Sequence, residues 1–166
     1  MPFFRLLGAL LTIPMFLGLQ SCEAAYLYEQ SYELPPEGWS YDNVLTYEFP
    51  IYDTTKAYQL LLEIEHSSDY AYQNCYVNIA TTFPDGERSV QQLSLNLADN
   101  IGRWAGDCGG NSCTAVVDLQ PAVRFPGVGT YTITLEQYMR INPVSDLQRI
   151  ALLLKEATST ANGSVE

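Results

Sequence analysis

Apolar and polar side chains alternate with a period of two along most of this chain, and this pattern limits the folds it can adopt. The alternation recurs in six segments, at 45–51, 58–64, 75–83, 93–97, 115–119 and 131–137. Successive side chains of a β-strand point to opposite faces, so a strand with one buried face shows this pattern. The chain is therefore predicted to form antiparallel strands, each with one face in a core.

Residues typical of turns separate these segments. Pro84-Asp85-Gly86 lies between two of them and predicts a hairpin, while Leu34–Gly38 and Pro126–Gly129 mark longer connections. Many short strands joined by Gly and Pro turns, without alternating helices, indicate a sandwich or a barrel. We expect an all-β fold, an antiparallel β-sandwich that resembles a jelly roll.

The segment 146–157 fits two structures. A capped amphipathic helix could begin at Ser145-Asp146 and bury Leu147, Ile150, Ala151, Leu153 and Leu154. The stretch from Arg149 to Ala157 also fits an apolar strand. Periodicity alone slightly favours the helix.

The first residues have the layout of a secretory signal peptide. Arg5 precedes an uncharged apolar run that ends at Leu19 and is shorter than the roughly 18–20 residues of a membrane-spanning helix. Leu19-Gln20-Ser21-Cys22 then looks like a lipobox, with an aliphatic residue three positions before the cysteine and a small residue directly before it. We expect a lipoprotein signal peptide over residues 1–21 and membrane attachment through two or three fatty chains on Cys22.

Removal of this peptide would leave an acidic protein. The chain has 8 basic and 19 acidic residues, and loss of Arg5 would change its net charge from −11 to −12. Nucleic acids and anionic lipid surfaces attract basic faces. The acidic net charge therefore argues against nucleic acid as a partner and against adsorption to anionic lipid. We expect attachment to the membrane through acylated Cys22.

Three cysteines follow Cys22. Cys108 and Cys113 enclose the short segment Gly-Gly-Asn-Ser, which favours a disulfide in an oxidising compartment. Half of a zinc site is the rival interpretation, but only His66 and Cys75 remain to complete it. Cys75 lies on the apolar face of its segment, where a buried and unreactive thiol is expected. We expect neither a metal nor a cofactor.

No catalytic arrangement stands out. The single histidine, His66, follows an apolar strand face, and no Gly-x-Ser-x-Gly motif accompanies it. The acidic residues allow many carboxylate pairs for glycoside cleavage, and nothing singles out two of them. The sequence therefore predicts a protein that is not an enzyme.

Aromatic residues suggest a binding surface. Trp39 and Trp104 occupy loop-like positions and, together with the outward-facing Tyr72, Tyr76 and Tyr138, could form a platform for a glycan or a peptide. The competing interpretation, which is favoured, is that both tryptophans cap the ends of the sandwich core. A platform would make the chain a carbohydrate-binding envelope lipoprotein.

Several short motifs follow the lipobox in a defined order. They are Glu37-Gly38-Trp39, then Phe49, Asp53 and Tyr58, then Tyr70-Ala71-Tyr72-Gln73-Asn74, Pro84-Asp85-Gly86, Gly102-Arg103-Trp104-Ala105-Gly106, Gly129-Thr130-Tyr131 and Gln137-Tyr138-Met139-Arg140. In their order and spacing the chain resembles the gliding motility lipoprotein GldH family of Bacteroidota over nearly the whole mature chain. It departs from the family in the Cys108–Cys113 insertion and in Glu65, where a basic residue is expected before His66.

The resemblance implies a non-enzymatic component of the gliding apparatus, or of the associated type IX secretion apparatus, on the outer membrane. Its partners would be other envelope proteins of that machinery. The resemblance also implies that Arg149–Ala157 is a strand that closes the sandwich, and we expect the strand for this reason. The expected organisation is a signal peptide (1–21), a lipidated N terminus with a first strand (22–34), a β-sandwich domain (35–157) and a disordered tail (158–166).

Lipidation leads to a direct prediction. The substitution Cys22→Ala should release the protein from the membrane fraction, because each buried methylene group of the fatty chains contributes about 0.8 kcal/mol. Fractionation of cell envelopes and immunoblotting measure this. Ser21→Ala keeps a small residue before the cysteine and should leave the protein membrane-bound. Retention of the Cys22→Ala variant would contradict lipid anchoring.

Overall fold

The computed structural model describes residues 26–158, which form nine β-strands. They are β1 (Tyr28–Glu33), β2 (Leu45–Ile51), β3 (Tyr58–Ser67), β4 (Asn74–Thr82), β5 (Arg88–Asn96), β6 (Asp107–Gly109), β7 (Ser112–Val123), β8 (Gly129–Gln137) and β9 (Leu147–Glu156). The expected signal peptide, Cys22 and the tail beyond Thr158 lie outside the described residues. Within the described range, no helix has the length and apolarity needed to cross a bilayer.

The strands form two antiparallel sheets that pack face to face. One sheet has the order β1-β9-β3-β7-β6 and the other the order β2-β8-β4-β5. Among these strands, the connections cross between the sheets except in the β4–β5 and β6–β7 hairpins. The predicted β-sandwich is confirmed, and without the short β6 its strand order is that of a jelly roll.

The core lies between the sheets and contains the side chains that the alternation predicted to point inward. Tyr47 and Phe49 of β2 are fully buried and pair in register with Ile133 and Tyr131 of β8. The Tyr47 hydroxyl donates a hydrogen bond of 3.1 Å to the carbonyl oxygen of Ile150 in the other sheet. This bond satisfies a buried polar group and links the two sheets across the core.

Pro84-Asp85-Gly86 forms the predicted turn between β4 and β5. Gly86 has a φ of 87°, a left-handed conformation that glycine adopts without a steric penalty. The Glu87 N–H donates to Asp85 Oδ1 at 3.0 Å, and the Phe83 N–H donates to the Glu87 carbonyl at 2.8 Å. The hairpin expected from this turn is confirmed.

The strand β9 shows that the helical interpretation of residues 146–157 was wrong. It lies between β1 and β3, and its inward-facing residues belong to the main core. Its outward-facing Ala151 and Leu153 form a second buried cluster with Leu61. A central strand that is buried on both faces loses its polar alternation, which explains why periodicity slightly favoured a helix. The strand implied by the family resemblance is confirmed.

A disulfide closes the tip of the β6–β7 hairpin. Cys108 and Cys113 face each other in the strand register and are bonded at an S–S distance of 2.01 Å. The disulfide expected from the short Gly-Gly-Asn-Ser segment is therefore present. Arg149 lies on the same sheet and forms ion pairs with Glu63 and, at 3.3 Å, with Glu65.

Truncation of Leu152, which is fully buried in β9, should weaken the fold strongly. Leu→Ala substitutions in protein cores cost about 2–5 kcal/mol, because they remove apolar contacts and leave a cavity. Urea unfolding followed by circular dichroism measures the free energy of unfolding of Leu152→Ala. Leu27→Ala is the matched control, because Leu27 is 58% exposed and its truncation should cost less than about 1 kcal/mol. Equal losses in both variants would contradict the described core.

Candidate functional site

A groove of about 1150 Å³ lies on the outer face of the four-stranded sheet. Polar and aromatic side chains of the strands form its floor, and loop residues form its rim. The lining residues are Tyr41, Tyr72, Asn74, Tyr76, Asn78, Gln92, Glu136, Gln137, Tyr138, Met139, Arg140 and Ile141. Pockets for small molecules commonly measure about 300–1000 Å³. This groove therefore has room for an extended ligand or a segment of a partner protein.

The alternation along β4 determines which residues reach the groove. Cys75 and Val77 point into the core and are almost fully buried, whereas Tyr76 between them is 46% exposed. In the next outward position, Asn78 pairs in register with Gln92 of β5 and with Glu136 of β8. A row of polar side chains thus crosses three neighbouring strands on the groove floor.

Three of the aromatic residues predicted to contact a ligand, Tyr72, Tyr76 and Tyr138, line the groove together. They are 37%, 46% and 54% exposed. The Tyr138 N–H donates to the Tyr76 carbonyl at 2.7 Å, which holds the two residues side by side. The Tyr72 ring contacts the buried Tyr70 ring edge to face, at 5.7 Å between centroids.

The rim that follows β8 is held in place by hydrogen bonds. Gln137 is 3% exposed, and its amide accepts from the Met139 N–H at 2.8 Å and donates to the Ile141 carbonyl at 3.3 Å. The Tyr41 hydroxyl donates to the Met139 carbonyl at 2.6 Å, and the Tyr41 N–H donates to Asn142 Oδ1 at 3.0 Å. A rim that is ordered before a ligand binds reduces the entropy lost on binding.

Sequence reasoning did not identify several lining residues, in particular Tyr41, Arg140 and Ile141. Tyr41 contacts a residue 98 positions away along the chain, so no local pattern could have connected the two. Within the segment Gln137–Arg140, Tyr138 was predicted as a possible ligand contact, whereas Met139 and Arg140 were recognised only as part of a family landmark. Its position directly after a predicted strand is the one signal that points to a functional loop.

The tryptophans are not part of the groove. Trp39 is fully buried, and its indole N–H donates to the Asn43 carbonyl at 2.7 Å. Its predicted role as a ligand contact is therefore corrected, because it offers no surface to a ligand. Trp104 is half-buried and packs on the imidazole of His66, with 4.6 Å between the ring centroids. Both residues pack against the core, as the competing interpretation held.

His66 has no partner for catalysis among residues 26–158. Its side chain is fully buried between Trp104 and Tyr70, and Nδ1 contacts the Ser67 carbonyl at 2.9 Å. Nε2 has no hydrogen-bond partner in that range. The described residues also contain no cluster of His, Cys, Asp and Glu that could hold a metal ion. The environment of His66 is that of a residue packed into the core.

The free thiol of Cys75 is buried, as predicted. Burial raises the pKa of Cys75 to about 12, although a hydrogen bond with Tyr70 acts in the opposite direction. The thiolate is the nucleophilic form of cysteine, so a thiol with this pKa is unreactive near neutral pH. Cys75 therefore contributes to packing under the groove floor.

A family model and two related sequences identify the same family. The family model described as GldH lipoprotein matches residues 26–153. The gliding motility lipoprotein GldH homolog of Christiangramia forsetii is 29% identical over 122 residues, 74% of this chain and 74% of its own length. The gliding motility lipoprotein GldH of Flavobacterium johnsoniae is 25% identical over 122 residues, 74% of this chain and 75% of its own length.

A solved structure of a family GH115 4-O-methyl-α-glucuronidase overlaps 93% of this chain and 20% of its own. Its sequence identity of 11% and TM-score of 0.41 are too low to indicate a shared function.

The family match extends from the residues before β1 into β9 and includes the groove. It agrees with the resemblance that the ordered motifs indicated. The chain belongs to the GldH lipoprotein family.

Proposed function

We propose that this protein is a lipid-anchored, non-catalytic component of the gliding motility or type IX secretion machinery at the outer membrane, and that it acts by binding other envelope proteins. The observation that carries the proposal is the groove, in which four exposed tyrosines line the outer face of one sheet and its rim in a GldH-family chain. The family resemblance supports the outer-membrane location, and the lipobox supports the anchor at Cys22.

The composition of the groove suits protein recognition. Tyrosine combines an apolar ring with a hydroxyl group that can form a hydrogen bond. Tyrosine and arginine are enriched among the few residues that contribute most of the binding energy at protein interfaces. The groove offers Tyr41, Tyr72, Tyr76 and Tyr138 together with Arg140. We assign these side chains to partner contact.

The same lining supports a non-catalytic role. Of the described residues that line the groove, only Glu136 carries a carboxylate. Glycoside hydrolases commonly require two carboxyl groups about 5–10 Å apart on either side of the scissile bond. His66 is buried away from the groove, and the thiol of Cys75 is protonated beneath its floor. These residues support binding as the role of the groove.

The test removes two adjacent tyrosine rings from the groove. Tagged, lipidated protein is purified from its native host, and the co-purifying proteins are quantified by mass spectrometry. The double variant Tyr76→Ala and Tyr138→Ala should lose gliding or secretion proteins that the parent protein retains. Truncation of a hot-spot residue at an interface, a class in which tyrosine is enriched, costs about 2 kcal/mol or more, which is roughly a 30-fold loss of affinity.

Val116→Ala is the control for this experiment. Val116 is 54% exposed on β7 of the opposite sheet, so its truncation should leave the co-purifying proteins unchanged. Circular dichroism must show the same unfolding midpoint for the parent and both variants. Recovery of the same partners by parent and groove variant would refute the groove as their contact site.

Glycan binding is a second candidate function. It is favoured by the combination of exposed tyrosines with the side-chain amides of Asn74, Asn78 and Gln92 on the groove floor. Aromatic rings can pack on the apolar faces of sugars, while amides can both donate and accept hydrogen bonds.

This candidate is tested with the purified protein on a glycan array. Binding should be lost in Tyr76→Ala and kept in Val116→Ala. An array on which the folded parent protein binds no glycan would eliminate this function.

A further inference from the structure

We infer that one end of the sandwich rests on the lipid surface through Leu27, Tyr52 and Val128, so that the strands stand upright and the groove extends away from the membrane. This inference rests on the proposed lipid anchor at Cys22. The contact surface, which we call the tether end, consists of residues 26–27, 52–57, 83–88, 124–128 and 155–158. It is separate from the groove.

Contacts between these segments show that they meet at one end of the molecule. The Ala157 N–H donates to the Ala57 carbonyl at 2.9 Å, and Lys56 forms an ion pair with Glu156. The register joins Ile51 to Gly129, which brings the segments that follow β2 and precede β8 together. Leu27 and Tyr52 line a common cleft of about 260 Å³ with Lys56 and Glu156.

Only a short segment separates the proposed anchor at Cys22 from this end. The described chain begins at Tyr26, only four residues after Cys22. Four residues span at most about 14 Å even when fully extended. The interfacial region of each leaflet is about 5–8 Å thick. The tether end is therefore held within a short distance of the bilayer, whatever conformation the connecting residues adopt.

The apolar side chains of the tether end suit a membrane interface. Tyr52 is 84% exposed, Val128 is 62% exposed and Leu27 is 58% exposed. Tyrosine is enriched at the level of the lipid headgroups, where its ring and its hydroxyl group are both accommodated. Contact with lipid would remove these apolar groups from water, which is favourable.

The tether end differs from the rest of the domain in net charge. The tether end has four basic residues, Lys56, Arg88, Arg124 and Lys155, and four acidic residues, Asp53, Asp85, Glu87 and Glu156. The remaining described residues include three basic and thirteen acidic side chains. An anionic lipid surface repels negative charge over about one Debye length, roughly 8–10 Å. The electrically neutral tether end can approach such a surface, whereas the acidic remainder is repelled.

The proposed orientation determines where the groove lies. The ten residues of β3, from Tyr58 to Ser67, extend over about 33 Å and separate the tether end from the opposite end. Tyr41, Tyr72 and Arg140 of the groove rim lie in loops at that opposite end. A protein anchored in this way presents the groove to partners well above the lipid surface.

The experiment places an environment-sensitive fluorophore at single cysteines of the full-length, natively lipidated protein. The labelled variants are Tyr52→Cys and Val128→Cys at the tether end and, as the matched control, Ile101→Cys in the loop that follows β5. Ile101 is 71% exposed and lies at the opposite end of the sandwich. The fluorophore does not label the other cysteines, because Cys22 is acylated, Cys75 is buried, and Cys108 and Cys113 form a disulfide.

Each variant is reconstituted in vesicles of phosphatidylethanolamine and phosphatidylglycerol, with and without bromine atoms on the lipid chains. We expect a blue-shifted emission and quenching by brominated lipid at positions 52 and 128, and neither effect at position 101. Protein that floats with the vesicles but shows water-like, unquenched emission at 52 and 128 would overturn the inference and leave the lipid anchor intact. Protein that fails to float with the vesicles would overturn the anchor, and the inference with it.

Discussion

The packing of one apolar sheet face against another is the interaction on which the rest of this structure depends. Most strands bury one face only, because their side chains alternate, whereas the central strand β9 is buried on both faces. Inward residues such as Tyr47, Phe49 and Tyr131 are fully buried, and the Tyr47 hydroxyl bonds to a carbonyl oxygen of the opposite sheet. Since the inward faces hold the fold, the outward faces of β4, β5 and β8 are free to form a binding surface.

The groove combines a regular floor with a fixed rim. Its floor inherits the spacing of three paired strands, so the distances between its side chains are set by the sheet. Its rim depends on Gln137, a buried polar residue whose side-chain amide both accepts and donates hydrogen bonds to the loop that follows β8. A surface of exposed tyrosines on such a support loses little entropy when it binds, which is the physical basis of the proposed interaction role.

The two proposed contacts lie on separate parts of one domain: the tether end is at one end of the sandwich, and the groove extends over one sheet toward the other end. The lipid anchor and the neutral tether end would fix the domain on the membrane, and the tyrosine groove would face outward from it. This arrangement would assign membrane attachment and partner recognition to different surfaces of the same domain. It would also give a physical reason for the uneven charge distribution, because the acidic part of the domain would be directed away from the lipid.

The sequence by itself determined six of the nine strands in the described range, the direction of most of their side chains, the hairpin at Pro84–Gly86 and the burial of Cys75, because these depend on local periodicity and short motifs. It left the segment 146–157 undecided, since a central strand with two buried faces shows no alternation. It also did not establish that Trp39 is buried. Only the tertiary structure decided that Tyr41, Tyr72, Tyr76 and Tyr138 line one groove. Their convergence depends on pairing and packing between residues as far as 98 positions apart, and no local pattern contains that information.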